Sequence, residues 1–351
     1  MTKASVHTES KLRRKAIWQR IMLVAAVLGL ATLAFVLFGM SGMLVKHKPA
    51  LVCEGSTGMM TGQKALARIL HKMNEDAQRL LDEEEIRDIA LYYRDLKSGA
   101  WVAINKDRKF YTASLMKVPL MMECLEAVQS HPELSKKRLP FTGGEDWSSV
   151  QNIKPKKSLE PGKTYSLDDL LFRMIAYSDN NAAQLLLEEF PNDSLYHFLA
   201  DHNADFENDD NGIKMSLDTY SRFFGALYDR SYLSTAMSQK ALSYLAAEDF
   251  PQGMHAAVPP NVVVESKFGE RLVKDETGAV VSTQLHEVGI VLGDDHPFLL
   301  GIMTSGDDLT VLEKVIREIS HDVYEEAEHT ANSTKNQTDQ TNCMHANCHA
   351  I

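Results

Sequence analysis

The chain has 351 residues, of which 44% are hydrophobic and 24% charged, and its formal net charge is -11 at pH 7. This length and hydrophobic content are sufficient for one large folded domain or two small ones, and they exclude a wholly disordered chain. The negative charge argues against a nucleic-acid partner, because binding to phosphates requires a basic face.

Residues 21–45 contain no charged side chain, and a helix of this length can cross roughly 30 Å of hydrocarbon. Basic residues precede this stretch at Lys11, Arg13, Arg14, Lys15 and Arg20. The positive-inside rule therefore predicts a cytoplasmic segment 1–20, a transmembrane helix 21–45 and an extracytoplasmic remainder, as in a single-pass protein of the cell membrane. A cleaved signal peptide is the alternative, but the apolar run is long for one, so an uncleaved anchor is favoured.

After a predicted linker at 46–62, the hydrophobic pattern indicates strands near both ends of the next segment and helices between them. The predicted helices are 63–81, 115–128, 167–177, 181–189 and 309–326. The predicted strands are 86–93, 101–104, 262–264, 285–292 and 298–304. This order predicts an α+β domain over 63–328, with an antiparallel sheet assembled from distant segments and a helical region inserted in the middle. Residues 329–351 have almost no aliphatic side chain and are expected to form a disordered tail.

The cysteines lie far apart or in terminal segments, unlike those of a disulfide-stapled domain. Cys124 lies in an apolar run and is predicted to be a buried thiol. Cys343, His345, Cys348 and His349 in the tail could bind zinc or copper, but their spacing fits no common zinc motif, so a solvated tail is preferred. No metal or other cofactor is predicted.

Ser114 and Lys117 lie one helical turn apart at the start of an apolar run, so their hydroxyl and amine share a face. Serine is a poor nucleophile unless a base removes its proton. A lysine desolvated by neighbours such as Leu115, Met116 and Met121 could be neutral enough to act as that base. The alternative is a helix cap with a surface lysine, but the run after Ser114 is too apolar for a solvent-facing helix.

Two further short motifs are ambiguous when taken singly. Ser178-Asp-Asn180 lies between two predicted helices, where these residue types commonly form caps and turns. Lys267-Phe-Gly269 ends a β-rich run, where a lysine and a glycine can present a cation and an open backbone edge to a ligand. A similar tripeptide at 97–99 is interpreted as a turn in the early hairpin.

In this order, the motifs at 114–117, 178–180 and 267–269 resemble the S-x-x-K, S-D-N and K-T-G set of class A β-lactamases and penicillin-binding proteins. The resemblance covers roughly residues 63–327 and implies the two-lobed serine β-lactamase fold. It also implies a serine hydrolase that acts on a β-lactam or a related amide.

The resemblance implies catalytic roles for three residues. Ser114 would be the acylated nucleophile, and Lys117 would accept its proton. Ser178 would carry a proton towards the leaving nitrogen. The reaction would be acyl transfer to water.

The resemblance also implies binding roles. Asn180 would bind the substrate amide, and Lys267 and Gly269 would form the strand edge, with the lysine holding an anionic group. The oxyanion hole would combine the backbone N–H of Ser114 with one from the strand just after Gly269, such as that of Arg271.

The sequence departs from the family pattern at two places. Phe268 stands where the family has a threonine or serine, so a hydroxyl that would help to bind a substrate carboxylate is missing. The deacylating glutamate belongs in a loop after the second motif, and the nearest candidate is Glu207, within the stretch 203–216. Without such a base, acylation can proceed while deacylation is slow, or Lys117 can activate the water instead.

Three functions therefore remain open. The first is a β-lactamase-like hydrolase, and the second is a penicillin-binding-protein-like D-Ala-D-Ala peptidase or another cell-wall amidase or esterase. The third is a catalytically silent, cell-wall-binding scaffold. The expected partners are a small-molecule or peptidoglycan-derived amide and, through residues 21–45, a membrane.

Overall fold

The computed structural model describes residues 51–54, 60–190, 192–209, 212–293 and 296–347. The predicted segment 1–20 and the predicted transmembrane helix 21–45 lie outside these residues. Among the helices that the structure describes, none combines the length and the hydrophobicity needed to cross a membrane.

The strands divide among one large sheet and two small ones. In chain order they are β1 Leu51–Glu54, β2 Asp88–Asp95, β3 Trp101–Ile104, β4 Lys109–Tyr111, β5 Arg138–Phe141, β6 Lys163–Ser166, β7 Phe206–Asp209, β8 Gly212–Ser216, β9 Val263–Lys274, β10 Val280–Leu292 and β11 Phe298–Gly306. The large sheet has the order β1-β3-β2-β11-β10-β9, and its pairs are antiparallel. It therefore joins strands from both ends of the domain, as predicted.

Helices fill the middle of the chain and both flanks. They are α1 Met60–Asp82, α2 Lys117–Ser130, α3 Leu167–Ala176, α4 Asn180–Glu189, α5 Asn192–Asp201, α6 Leu217–Asp229, α7 Thr235–Leu245 and α8 Leu309–Asn347. Short 3-10 helices span Ala113–Met116, Pro132–Lys136, Trp147–Val150 and Met254–Ala256. The predicted α+β class is confirmed.

The large sheet separates two hydrophobic cores. Alternate residues of β11 point to opposite faces, so Leu300 and Ile302 join the core under α1 and α8, whereas Leu299 and Met303 join the core of the helical lobe. The functional motifs lie where this lobe meets the free edge of β9.

Two terminal predictions differ from the structure. β1 pairs with β3, although it lies inside the predicted linker 46–62. α8 continues to Asn347, although a disordered tail is predicted from residue 329. No proline or glycine lies between Leu309 and Asn347 to end the helix, so the polar composition alone does not mark its end.

We predict that Ile316→Ala in α8 lowers the free energy of unfolding by about 2–5 kcal/mol, because it leaves a cavity in a core position that is fully buried. The measurement is urea denaturation of the purified chain. The neighbouring Arg317→Ala, at an exposed position, is the control and should change stability by about 0.5 kcal/mol or less. Equal effects of the two substitutions would contradict the packing of α8 on the sheet.

Candidate active site

Ser114 lies in the 3-10 helix that links β4 to α2. The preceding Ala113 has a φ of 48°, a left-handed conformation that is strained for a residue with a Cβ. Contacts from the helical lobe hold this segment: the N–H and hydroxyl of Thr112 both donate to Ile213 O, and the Tyr220 hydroxyl donates to Leu115 O. The backbone around Ser114 is therefore fixed before any substrate binds.

His286 fixes the same segment from the large sheet. Its Nδ1 accepts a hydrogen bond from the N–H of Thr304, so the proton is on Nε2, which donates to Tyr111 O over 3.0 Å. Complete burial lowers the pKa of His286 to about 4, which agrees with a neutral ring. This histidine positions the segment that leads to Ser114.

Lys117 is the first residue of α2 and is buried. Its Nζ lies 2.7 Å from Ser178 O, 3.1 Å from Ser178 Oγ and 2.7 Å from Asn180 Oδ1. Burial lowers the pKa of Lys117 well below its usual value, and the charge of Lys267 lowers it further. The structure thus brings the first and second sequence motifs into direct contact.

Asp179 holds the second motif in place. It is fully buried and accepts hydrogen bonds from the Ser148 and Ser158 hydroxyls and from the N–H groups of Leu159 and Asn181. The neighbouring Ser178 has a φ of 52°, so this turn, like the one before Ser114, depends on its surroundings. Asp179 is therefore a structural anchor for the residues that contact Lys117.

The structure places the Lys267 ammonium in the interior instead of in the cleft. Lys267 is completely buried, and its Nζ lies 2.6 Å from Glu248 Oε1, which also accepts the N–H of Phe268. The ammonium lies 4.0 Å from the centroid of the Phe268 ring, which stacks on Phe250. This placement does not support the predicted role of Lys267 in holding a substrate anion.

A second acid completes this interior cluster. The Ser266 hydroxyl lies 2.8 Å from Glu248 Oε2 and 2.9 Å from Glu287 Oε1, and its single proton can go to only one of them. Burial and the charge of Glu248 raise the pKa of Glu287 to about 8. Both effects favour the protonated form of Glu287, and in that form Glu287 donates to Ser266, which donates to Glu248.

Gly269 brings the edge of β9 against the nucleophile helix. A Cβ at this position would lie 2.9 Å from Thr112 O and 3.0 Å from Leu115 N, closer than side chains tolerate. The backbone of β9 just after Gly269 therefore runs directly beside Ser114, as the third motif predicts.

These elements enclose a cleft of about 580 Å³. Ser114, Lys117 and Asn180 line it, and Lys267 does not. Its apolar lining is formed by Met116, Leu120, Val150, Ala183, Leu187, Leu195, Ile213 and Leu272. Three of the predicted site residues thus face one shared space that a small molecule can enter.

Glu270 is the only carboxylate among the described residues that line this cleft. Its Oε1 accepts the N–H groups of Asn152 and Ile153, and its Oε2 accepts the Asn152 side-chain amide over 2.8 Å. The carboxylate therefore ties β9 to the segment after Trp147–Val150, in which Gln151 Nε2 donates to Ser178 O over 3.1 Å.

Glu207, the candidate deacylating base, lies on the β7–β8 hairpin instead of in a loop. Its side chain is 61% exposed, pairs with Lys109 at 3.1 Å and does not line the cleft. This placement does not support the predicted role. Too few apolar residues alternate across 203–216 for the hairpin to be predicted from periodicity.

Sequence reasoning also missed Glu248, Glu270, Glu287 and His286. The last two form a charged and polar pair inside an apolar strand, which indicates that buried partners must exist. Glu248 and Glu270 carry no such signal, because their partners are distant in the sequence.

Comparison with known proteins agrees with this geometry. The sequence model of the β-lactamase enzyme family matches residues 72–327. The chain therefore belongs to the β-lactamase enzyme family and is a serine hydrolase of that type. Among curated proteins, none matches this chain.

Solved structures share the fold at low sequence identity. A β-lactamase from Chitinophaga pinensis is 18% identical with a TM-score of 0.62, and the match covers 74% of this chain and 99% of that one. A class A β-lactamase from Mycobacterium abscessus is 17% identical with a TM-score of 0.61, covering 74% and 98%. A PBP-A variant, solved as its acyl-enzyme complex with penicillin G, is 17% identical with a TM-score of 0.61, covering 74% and 97%. The predicted serine β-lactamase fold is confirmed.

We predict that Glu287→Gln flattens the pH dependence of stability. Between the ordinary pKa of 4.5 and the raised pKa of about 8, folded Glu287 keeps a proton that the unfolded chain releases. The free energy of unfolding of the wild type therefore falls as the pH rises through this window, and the Gln variant lacks this contribution. Urea denaturation at a series of pH values measures the slope.

The control for this prediction is Glu276→Gln, at an exposed position in the turn after β9. It should retain the wild-type slope. Identical slopes for the wild type and Glu287→Gln would show that Glu287 is not protonated in the folded state.

Proposed function

We propose that the chain is a membrane-anchored, extracytoplasmic serine hydrolase that reacts with a β-lactam or a related amide through an acyl-Ser114 intermediate. The observation that carries this proposal is the buried Lys117 amine, held by Ser178 and Asn180 in a cleft that Ser114 also lines. The proposed location rests on the apolar residues 21–45 and the basic residues before them.

The contacts of Lys117 are compatible with a neutral amine that acts as the base. A neutral amine has two N–H donors and one lone pair. Its two shortest contacts, to Ser178 O and Asn180 Oδ1, are with atoms that only accept, so they use both donors. The lone pair is then free to take a proton from a hydroxyl, either that of Ser114 one turn earlier or that of Ser178 at 3.1 Å.

The contact between Lys117 and Ser178 supports the following proton route. Lys117 removes the proton of Ser114 as its oxygen attacks the substrate carbonyl carbon. Ser178, which touches Lys117, passes a proton to the leaving nitrogen as the C–N bond breaks. The close approach of β9 at Gly269 supports an oxyanion hole formed by the N–H of Ser114 and one from β9.

The cleft supports acylation better than deacylation. Deacylation needs a base that activates water, and the one carboxylate in the described cleft lining, Glu270, already accepts three hydrogen bonds. This observation favours a second candidate function, a penicillin-binding-protein-like peptidase. β-Lactams would acylate such an enzyme, and its acyl-enzyme would be hydrolysed slowly. The PBP-A variant in its acyl-enzyme complex with penicillin G shares the fold.

We predict that a fluorescent penicillin or a serine-directed activated probe labels the wild-type chain and not Ser114→Ala. Substitution of Lys117 by Met should slow labelling by about a hundredfold or more, because the base is removed. Ser98→Ala, in the exposed turn after β2, is the matched control and should label like the wild type. If neither probe labelled the wild type, the catalytically silent scaffold would be the function that remains.

We also predict that the penicillin adduct accumulates. Intact-mass measurement over time should show stoichiometric acylation within the period in which little hydrolysed product is released, because the one carboxylate among the described lining residues, that of Glu270, already has three donors. Rapid turnover without a detectable adduct would contradict slow deacylation and would favour the β-lactamase.

A further inference from the structure

The charged side chains that line the cleft differ in how many hydrogen-bond or ionic partners they have. Among the described lining residues, the charged side chains are Lys117, Glu270, Arg271 and Lys274. Glu270 is bound by three donors, and burial favours the neutral form of Lys117. Arg271 and Lys274 are left as cations on the β9 wall, in a chain whose overall charge is negative.

Among the described residues, Arg271 forms no ion pair, although the charge of Asp209 opposes the lowering of its pKa by burial. Its guanidinium packs on the Tyr111 ring, with its carbon 5.2 Å from the ring centroid, and Nε is buried without a hydrogen-bond partner in the described part of the chain. Asp209, a nearby carboxylate, accepts from the Tyr111 hydroxyl over 3.0 Å and from Lys214 over 2.7 Å. A half-buried guanidinium without a partner is costly unless a ligand completes its hydrogen bonds.

Arg271 lies on β9 near the point where this strand touches the helix that carries Ser114. It lies two residues beyond Gly269 and on the same face of β9, a displacement of roughly 7 Å along the strand from the point that touches the nucleophile helix. Ile213 belongs to the apolar lining of the cleft, and a Cβ at the preceding Gly212 would lie 3.3 Å from the guanidinium. A ligand here can therefore place an apolar body against the helical lobe and an anionic end on β9.

Resting on the proposed acyl-Ser114 chemistry, we propose that Arg271, assisted by Lys274, is an anion subsite that selects substrates with a carboxylate on the acyl side chain. Lys267 cannot supply this charge, because Glu248 binds it in the interior. An arginine fork bound to a carboxylate gives the charge and the geometry for this selection, and the positive cleft attracts anions from solution.

The test uses two esters of equal chain length, p-nitrophenyl pentanoate and mono-p-nitrophenyl glutarate, with the purified full chain. The readout is the ratio of kcat/KM for the acidic ester to that for the neutral one, because a general loss of activity lowers both values and leaves the ratio unchanged. We expect a wild-type ratio of about ten or more, in line with a charge-assisted hydrogen bond.

Arg271→Met should lower this ratio to about one, and Arg271→Lys should retain part of it. Lys274→Met should lower it by about threefold, as expected for an exposed cation. Arg222→Met, at an exposed arginine of α6 that pairs with Asp218, is the control and should keep the wild-type ratio. A wild-type ratio near one, or a ratio that survives Arg271→Met, overturns the proposal.

A binding experiment separates this proposal from the proposed function. The anilides of glutaric and pentanoic acid are titrated calorimetrically into Ser114→Ala, which cannot be acylated, and into Ser114→Ala combined with Arg271→Met. Tighter binding of the acidic anilide to Ser114→Ala, lost in the double variant, supports the subsite. This holds even if neither ester acylates Ser114, because a failure to acylate would overturn only the proposed function. Equal binding of the two anilides overturns the subsite, whatever the esters do.

Discussion

Two lysine amines are buried close together, and the difference between their partners determines what the site can do. Lys267 faces a carboxylate, that of Glu248, whose charge opposes the lowering of the lysine pKa by burial. Lys117 donates hydrogen bonds only to neutral acceptors, on Ser178 and Asn180, and burial and the charge of Lys267 lower its pKa more than the charges of Asp179, Glu248 and Glu270 raise it. Desolvation and like-charge repulsion therefore act together to lower the pKa of Lys117 and favour the neutral amine that the proposed role as a base requires.

This arrangement requires a rigid surrounding, because a mobile lysine would return to water and regain its charge. The fold supplies the rigidity from both of its lobes. His286 of the large sheet and Tyr220 of the helical lobe bind the backbone on either side of Ser114, and Asp179 fixes the turn that carries the two acceptors of Lys117. The left-handed conformations of Ala113 and Ser178 persist because these contacts leave the backbone no alternative.

The sequence predicted the parts of this site that are local. Ser114 and Lys117 share a helical turn, Ser178 and Asn180 share a cap, and Gly269 marks a close approach of backbone, so each could be recognised from spacing and residue type. The strands of the large sheet were predicted for the same reason, from runs of buried apolar residues. The partners of Lys267 and Glu270 could not be predicted, since Glu248 and Asn152 reach them only through the tertiary fold.

The third motif departs from the family pattern at Phe268, and the residues that surround Phe268 come from distant parts of the chain. Phe268 replaces a hydroxyl that would face a substrate, and its ring instead stacks on Phe250 and supports the Lys267 ammonium at 4.0 Å. Glu248 Oε1 accepts hydrogen bonds both from the Lys267 ammonium and from the Phe268 N–H, so these two residues of the third motif share one interior partner. At Gly269, the next residue, β9 lies against the backbone of the helix that carries Ser114.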